Sequence, residues 1–575
     1  MIRRARELVD ALAAAAARFT VAARREKRRL LGLLAEREVD DPRVLHALHE
    51  ALCFLQAYPD DAGVLASVDR ALEGFPARVK RLAPAAARRL QDSGIAGTSL
   101  DYPFGYPMAR WLARRFPRDV EILWEQFTEE ERLQESLVLL LNPAEHDAFS
   151  DEGGLGWRRW LEVARAGRAL TDLQVLLELF DRANLDEATR DWLFESLALP
   201  IGWRLHGAGA SRTFAKLPWR RPVFRGGAEA PSRRSGPRDF IREVRRPLPS
   251  LRVAPRRLAE ALIEAARLAM AVRFRELFAF SYANPGDVLV ADPGRGLRIA
   301  LIGILPAARL PFEGYYAYLA LRNGVPVGYG AAWQLVGALE LAVNVFEPFR
   351  RGESAFILSQ VLRAYHRAFG MRTVVVDPFQ IGHGNLEALE SGAFYFYRHL
   401  GFRPRDPAVR RLAETEEAKI AGDPSYRTPL PLLRRLARSE IYLPLSASDP
   451  DAEQRVTASA LAALVTGHIA RRFHGDRRAA AQAASVAVAA AVGAERRRHW
   501  PRDERDAFEQ LSLLIALIPD LARWPAGDRR RLVQVLRAKG GRSEARYVRL
   551  LNGHHRLRRS LEALVASAPA LMGND

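Results

Sequence analysis

The sequence predicts a multidomain α+β chain, with a mixed sheet flanked by helices between N-terminal and C-terminal all-α domains. Three observations predict it. Residues 1–203 carry apolar positions at helical spacing, broken by Asp, Pro and Gly. Residues 255–446 pass from a helix into strand-like runs separated by tight turns, and from 447 the helical pattern returns. At 575 residues the chain also exceeds the size at which a single hydrophobic core stops growing, which predicts three or four domains.

Composition narrows the class. Apolar residues make up 49% of the chain, so it is globular in type rather than disordered. The net charge is +19, and of the 87 basic residues only Lys27, Lys80, Lys216, Lys419 and Lys539 are lysine. Such a charge speaks to partners and solubility rather than to fold. The single cysteine, Cys53, excludes an intramolecular disulfide framework and any cysteine-based zinc site; within ALCFL it reads as a buried inert thiol. The adjacent His554 and His555 lack acidic or cysteine companions and read as surface residues, so no metal site is expected.

Taken in order, the start, MIRRARELVDALAAAAARFT, sets basic residues before an alanine run as a signal peptide does. Glu7 and Asp10 interrupt the run, and an amphipathic helix is expected instead. No stretch has the apolar length needed to cross a bilayer, so a cytoplasmic protein without membrane contact is expected. The 1–203 domain follows, rich in Asp and Glu over 119–151. From Arg204 to Arg257 composition shifts to 15 Arg/Lys against three acids, with seven prolines and no sustained periodicity. Residues 204–254 therefore read as a basic Pro-rich linker or arm. It either straps the acidic N-terminal domain or binds a nucleic acid or acidic protein, with Trp219, Phe224 and Phe240 interleaved for stacking.

In the 255–446 domain, DVLVAD, LRIALIGIL, YYAYLAL, VPVGYGAAWQLV and ALELAVNVF read as strands of an antiparallel meander, with PGRG and RNG as turns. An amphipathic helix over 352–369 follows, capped by Gly370. TVVVDPF reads as a buried strand, 385–400 as a second helix, and EIYLPL, after a helical insertion, as the last strand. The 447–575 domain is helical.

Three places in this order carry a family resemblance: RNGVPVGYG, EPFRRGESAFIL and ESGAFYFYRHLGF. They resemble, respectively, the strand hairpin, the pyrophosphate loop and the closing helix of the GNAT superfamily of acetyl-CoA-dependent N-acyltransferases, over some 160 residues. The resemblance implies transfer of an acyl group from acetyl-CoA or another acyl-CoA to an amine by direct attack. It implies that Val345, Phe346, Arg351, Gly352, Glu353, Ser354, Ala355 and Phe356 hold the acyl-CoA. The physical basis is general: a turn feeding a helix N-terminus aims unpaired N–H groups at one point. Ser354 and Phe356 stand at the family's small positions. Tyr397 aligns with the acid that protonates the departing thiolate, and Glu390, seven residues earlier, replaces the usual Asn two turns away on nearly the same helical face.

An amine nucleophile needs a base. Glu340, on the strand entering the loop, is the first candidate, with desolvation expected to raise its pKa; His383 in QIGHGN is the second. Tyr397 also lies on an apolar stripe with Leu386, Leu389, Ala393 and Leu400, so core packing competes with the catalytic role. GESAF begins like a nucleophile elbow, but the fifth residue is Phe356, and hairpin-connected strands do not suit a hydrolase. Two functions remain: an N-acyltransferase with an unidentified amine acceptor, or a catalytically degenerate relative serving as a binding or scaffold module.

Overall fold

The computed structural model describes residues 2–149, 154–207, 209–225, 236–350, 353–445 and 455–567. They form two compact units, Met1–Ala228 with Glu264–Ser281 and Asn323–Pro326, and Glu229–Ile263 with Tyr282–Arg322 and Val327–Asp575. Among the described residues no helix is long and apolar enough to cross a membrane.

The first unit begins with helices α1 (Ile2–Ala16), α2 (Val21–Ala35), α3 (Pro42–Ala57) and α4 (Ala62–Glu73), with the short α5 (Phe75–Lys80) and α6 (Pro84–Arg88) after them. The amphipathic reading of the start holds, since Ala5, Val9, Leu12 and Ala16 are buried along α1. Lys27 and Asp60 form an ion pair of 2.7 Å with no exposure of either side chain. Cys53 is buried, and burial pushes its thiol up to about 12, which keeps it protonated and inert.

The expected all-α character of 1–203 does not hold. Strands β1 (Ser99–Tyr102), β2 (Val120–Ile122) and β3 (Ile201–Arg204) form a sheet in the order β1-β3-β2, among helices α7 (Tyr106–Arg115), α8 (Glu130–Leu140), α9 (Gly156–Arg165), α10 (Asp172–Arg182) and α11 (Glu187–Ser196). Strands of three or four residues are too short to show alternation, so helical periodicity on either side masks them. Trp203 of β3 is fully buried between Leu100 and Val120, its register partners on either side.

Nor do the described residues of 204–254 form an extended linker. Leu205, Ala210, Ser211 and Thr213 are buried in the first unit. Farther on, helix α12 (Pro237–Arg245) and strand β4 (Leu251–Val253) belong to the second. Pro237 opens α12 at its first turn with Asp239 beside it, and Phe240 and Val244, four apart, are its buried stripe. Two turns of helix within a proline-rich stretch leave too little period to read.

The second unit is built on a nine-stranded sheet of order β11-β12-β10-β9-β8-β7-β6-β5-β4. After α13 (Arg256–Ala271) and α14 (Phe278–Ser281) come the meander strands β5 (Ala283–Gly294), β6 (Leu297–Ile304), β7 (Gly314–Arg322), β8 (Val325–Leu335) and β9 (Ala338–Val345). The RNG turn adopts left-handed conformations at Asn323 and Gly324, as a two-residue hairpin requires. Val336 and Gly337 make the β8–β9 turn the same way, with φ of 51° at a β-branched residue that disfavours it. Helix α15 (Ser354–Phe369) follows, ended by Gly370 at φ 67°. Strand β10 (Thr373–Val376) pairs parallel to β9, while β12 (Ile441–Pro444) pairs antiparallel to β10 and to β11 (Arg403–Pro404). Helices α16 (Leu386–Glu390), α17 (Ala393–His399), α18 (Pro407–Gly422) and α19 (Leu430–Leu436) lie between.

Helices α20 (Ala458–Phe473), α21 (Arg477–Val492), α22 (Arg502–Ile515), α23 (Ala526–Lys539), α24 (Glu544–Asn552) and α25 (His555–Ser567) follow. They share the compact unit of the sheet, although the sequence placed a boundary at 446. A buried polar network ties them to it. Asp287 of β5 accepts bonds from the Tyr316 hydroxyl (2.6 Å), the Ser543 hydroxyl (2.7 Å) and the Glu544 backbone N–H (2.7 Å). The Glu544 carboxylate in turn accepts from Lys539, which also donates to the Glu313 carbonyl at 2.7 Å. A buried carboxylate with three donors is compensated, which an isolated one would not be.

Candidate active site

The feature that could admit a ligand is where β9 and β10 part. Their parallel register covers only Ala338–Glu340 against Thr373–Val375, whereas β9 continues against β8 as far as Val345. Beyond Glu340, β9 has no registered partner on its β10 side among the described residues, and Ala342, Val343 and Asn344 there are half-buried. The chain then turns through Phe346, whose N–H donates to the Val327 carbonyl at 3.0 Å. Phe346 packs on Tyr329 at 5.5 Å between ring centroids, and Val345 and Phe349 are buried with it. Arg350 fixes this turn by donating to the Val345 carbonyl (2.9 Å) and to Glu387 (3.1 Å).

Of the residues expected to hold an acyl-CoA, Arg351 and Gly352 lie outside the described residues. Helix α15 opens without a side-chain cap. Ser354, Ala355 and Phe356 form its first turn and are half-buried. The Ser354 hydroxyl donates to the Arg350 carbonyl at 3.4 Å, and the Arg295 guanidinium sits 5.6 Å from the centroid of the Phe356 ring. Glu353, the N-cap residue, is buried, with 8% of its surface exposed. A carboxylate there suits the helix dipole but opposes a second anion.

Tyr397 is 4% exposed, its ring edge-on to Phe402 at 5.2 Å. Its hydroxyl has no hydrogen-bond partner among the described residues. Burial pushes the phenol well above its ordinary value, so it holds its proton at neutral pH. Tyr318 of β7 is its neighbour: burial and then Tyr397 keep that phenol protonated too. The apolar stripe expected around Tyr397 holds for Leu389 and Leu400 and fails at Leu386, which is 55% exposed.

The single helix expected over 385–400 is two. Gly392 takes φ of 71° and separates α16 from α17, so Glu390 and Tyr397 do not share one helical face. Glu390 is exposed at the end of α16. His383 is exposed in a turn between Gly382 (φ 123°) and Gly384 (φ 66°), held through its backbone N–H to the Pro378 carbonyl at 2.9 Å.

Glu340 is not the desolvated, unpaired carboxylate that a base role anticipates. Arg455 donates to it at 2.5 Å and also bonds Glu440. Glu340 lies across from Trp333 in the β8–β9 register, and Trp333 stacks on Tyr315 at 5.1 Å. Tyr316 and Tyr318, alternating with Tyr315, meet Phe369 and Tyr365 of α15 instead. Glu340 therefore opens on the face of the sheet opposite α15, and Tyr318 on the face α15 covers. Arg455, Glu440 and Tyr318 escaped the sequence reading. Arg455 lies 115 positions from its partner, a separation no local pattern reports.

No family model, no curated protein and no solved structure matches the chain.

Proposed function

We propose that the sheet of the second unit is an acyltransferase domain of the GNAT type, which moves an acyl group from an acyl-CoA to an amine. The parted β9–β10 pair, with the unpartnered Tyr397 hydroxyl nearby, carries this reading. A strand edge that leaves an internal sheet exposes N–H and C=O groups that require partners. The two amides of an extended pantetheine arm are partners of that kind, so residues 341–345 suit it. The order β9-β10-β12-β11, with its single parallel pair, supports the same reading.

The chemistry an acyl-CoA brings is a thioester whose sulfur leaves as a thiolate. The chain's part is to align the arm along β9 and to keep a phenolic proton on Tyr397 for that sulfur. Proton removal from the amine does not fall to Glu340 while Arg455 holds it; a neutral amine still gives up one N–H proton as the C–N bond forms and the C–S bond breaks, and that proton goes to the Tyr397 oxygen, replacing the one the phenol gives to the thiolate.

A second reading, the degenerate binding module, is favoured by one observation. The buried Glu353 and the Phe356 ring stand where a pyrophosphate would meet α15. Calorimetry of the full chain with acetyl-CoA, a longer acyl-CoA and free CoA separates the two. Saturable heat with the acyl-CoAs, lost when Val343 is changed to Pro on the β9 edge, supports the enzyme. Absence of heat with all three refutes it and leaves the binding module.

A further inference from the structure

Helix α12 presents Arg238, Arg242 and Arg245, with Arg246 at its C-cap, on one exposed face. Their positions i, i+4, i+7 and i+8 fall on a single side and span about 12 Å at 1.5 Å per residue. Together with Ile241 they line an open groove of about 620 Å³. The opposite face, Phe240 and Val244, is buried. The helix is held rigidly on α15, because Gln360 donates to Glu243 at 2.9 Å and Arg363 donates to Glu243 (3.3 Å) and to the Arg246 carbonyl (2.9 Å).

Local acids leave most of this charge available. Arg242 meets Asp239 at 2.6 Å and Arg246 meets Glu243 at 3.6 Å, with both arginines more than half exposed. Such exposed pairs hold weakly and yield to a better anion. Arg238 and Arg245 make no ion pair among the described residues. Beside them, the last turn of α15 carries His366 and Arg367, and burial, then the charge of Arg245, holds the His366 imidazole below its ordinary value.

We propose that this face of α12 binds the phosphate backbone of a nucleic acid. Guanidinium groups take phosphate oxygens in pairs, and a row of four on a fixed helix matches successive phosphates of a strand. A membrane surface fits less well, because the apolar side of α12 is already spent on the fold and only Ile241 could enter lipid. A protein partner fits less well too, since the groove offers no aromatic anchor. The inference does not depend on the acyltransferase reading and concerns a different surface.

The test uses the full chain and fluorescence anisotropy with a labelled 20-nucleotide RNA, a DNA strand and a DNA duplex, from 50 to 300 mM NaCl. Four phosphate contacts give a slope of log K against log salt of about −3 to −4. The variant R238Q/R242Q/R245Q/R246Q is expected to lower that slope by about 3 and to weaken binding at 100 mM at least about tenfold. The control R471Q/R472Q/R477Q/R478Q removes the same charge from exposed positions on α20 and α21 and is expected to change binding less than about twofold. R238Q/R245Q, which breaks no ion pair, is expected to take about half the slope change and serves if the quadruple variant melts early. Equal losses in the α12 and control variants would overturn the proposal by showing net charge alone at work. So would absence of oligonucleotide binding by the parent, or selective binding of phosphatidylserine vesicles or a poly-glutamate peptide that oligonucleotide does not displace.

Discussion

Replacing Glu276 by Gln should remove a pH dependence from the stability of the first unit. Glu276 accepts the Gly105 N–H at 2.6 Å where α7 begins without a side-chain cap. Burial, followed by the nearby charge of Glu195, raises its pKa from 4.5 to about 7. Because the folded value lies above the unfolded one, the stabilisation is complete below about pH 4.5 and is lost as pH rises through about 7. A shift of some 2.5 units corresponds to about 3 kcal/mol as an upper figure, and about 2 kcal/mol after allowing for residual solvent contact. The glutamine keeps an acceptor for Gly105 and carries no charge, so it mimics the protonated side chain at every pH.

Urea unfolding of parent and variant at pH 5, 6, 7 and 8 measures this, with the difference between the two proteins as the readout. The variant should exceed the parent by less than about 1 kcal/mol at pH 5 and by about 2 kcal/mol at pH 8. Parallel profiles would refute the reasoning, since they would mean that Glu276 ionises without cost in the folded chain.

The remaining outcomes concern residues of both units. Y397F should lower acyl transfer about a hundredfold in kcat while leaving acyl-CoA affinity by calorimetry unchanged. K539M leaves the buried Glu544 carboxylate uncompensated and should cost about 3–5 kcal/mol in urea unfolding, with K539M/E544L recovering most of it. G94A should lower the melting temperature by several degrees. Gly94 has φ of 72°, and an added Cβ would lie 2.2 Å from the Val272 carbonyl oxygen, a contact only backbone movement relieves. R455M should abolish any contribution of Arg455 to holding Glu340. Because Glu340 opens on the sheet face opposite the one that Tyr318 shares with α15, kcat in the same assay should stay within about twofold of the parent.

The sheet was legible because its strands are long and apolar and its turns have a chemistry of their own. RNG, PGRG and Gly370 each name a left-handed position in the sequence, and the structure places one there. The short strands β1 to β3 were not legible, since three residues define no period. Gly392 shows a different limit. A glycine inside a helical pattern costs about 1 kcal/mol against Ala and is often tolerated, so its spacing alone did not reveal the break between α16 and α17. At the candidate site, the residues around Tyr397 were placed by local pattern, whereas Glu340 was misjudged because its partner Arg455 comes from a remote part of the chain.

The Asp287 network sets an order of events for synthesis. The donors at Ser543 and Glu544 lie 256 and 257 positions after the carboxylate they neutralise. At roughly 5–20 residues per second, a nascent chain waits on the order of 10–50 s between making the charge and making its partners. Through that interval Tyr316 is the one of the three donors already made, so closing the packing over β5 carries a desolvation cost that the later residues offset. A chain that ends before α24 lacks two of the three donors to Asp287, so closing its sheet buries a carboxylate that is only partly compensated.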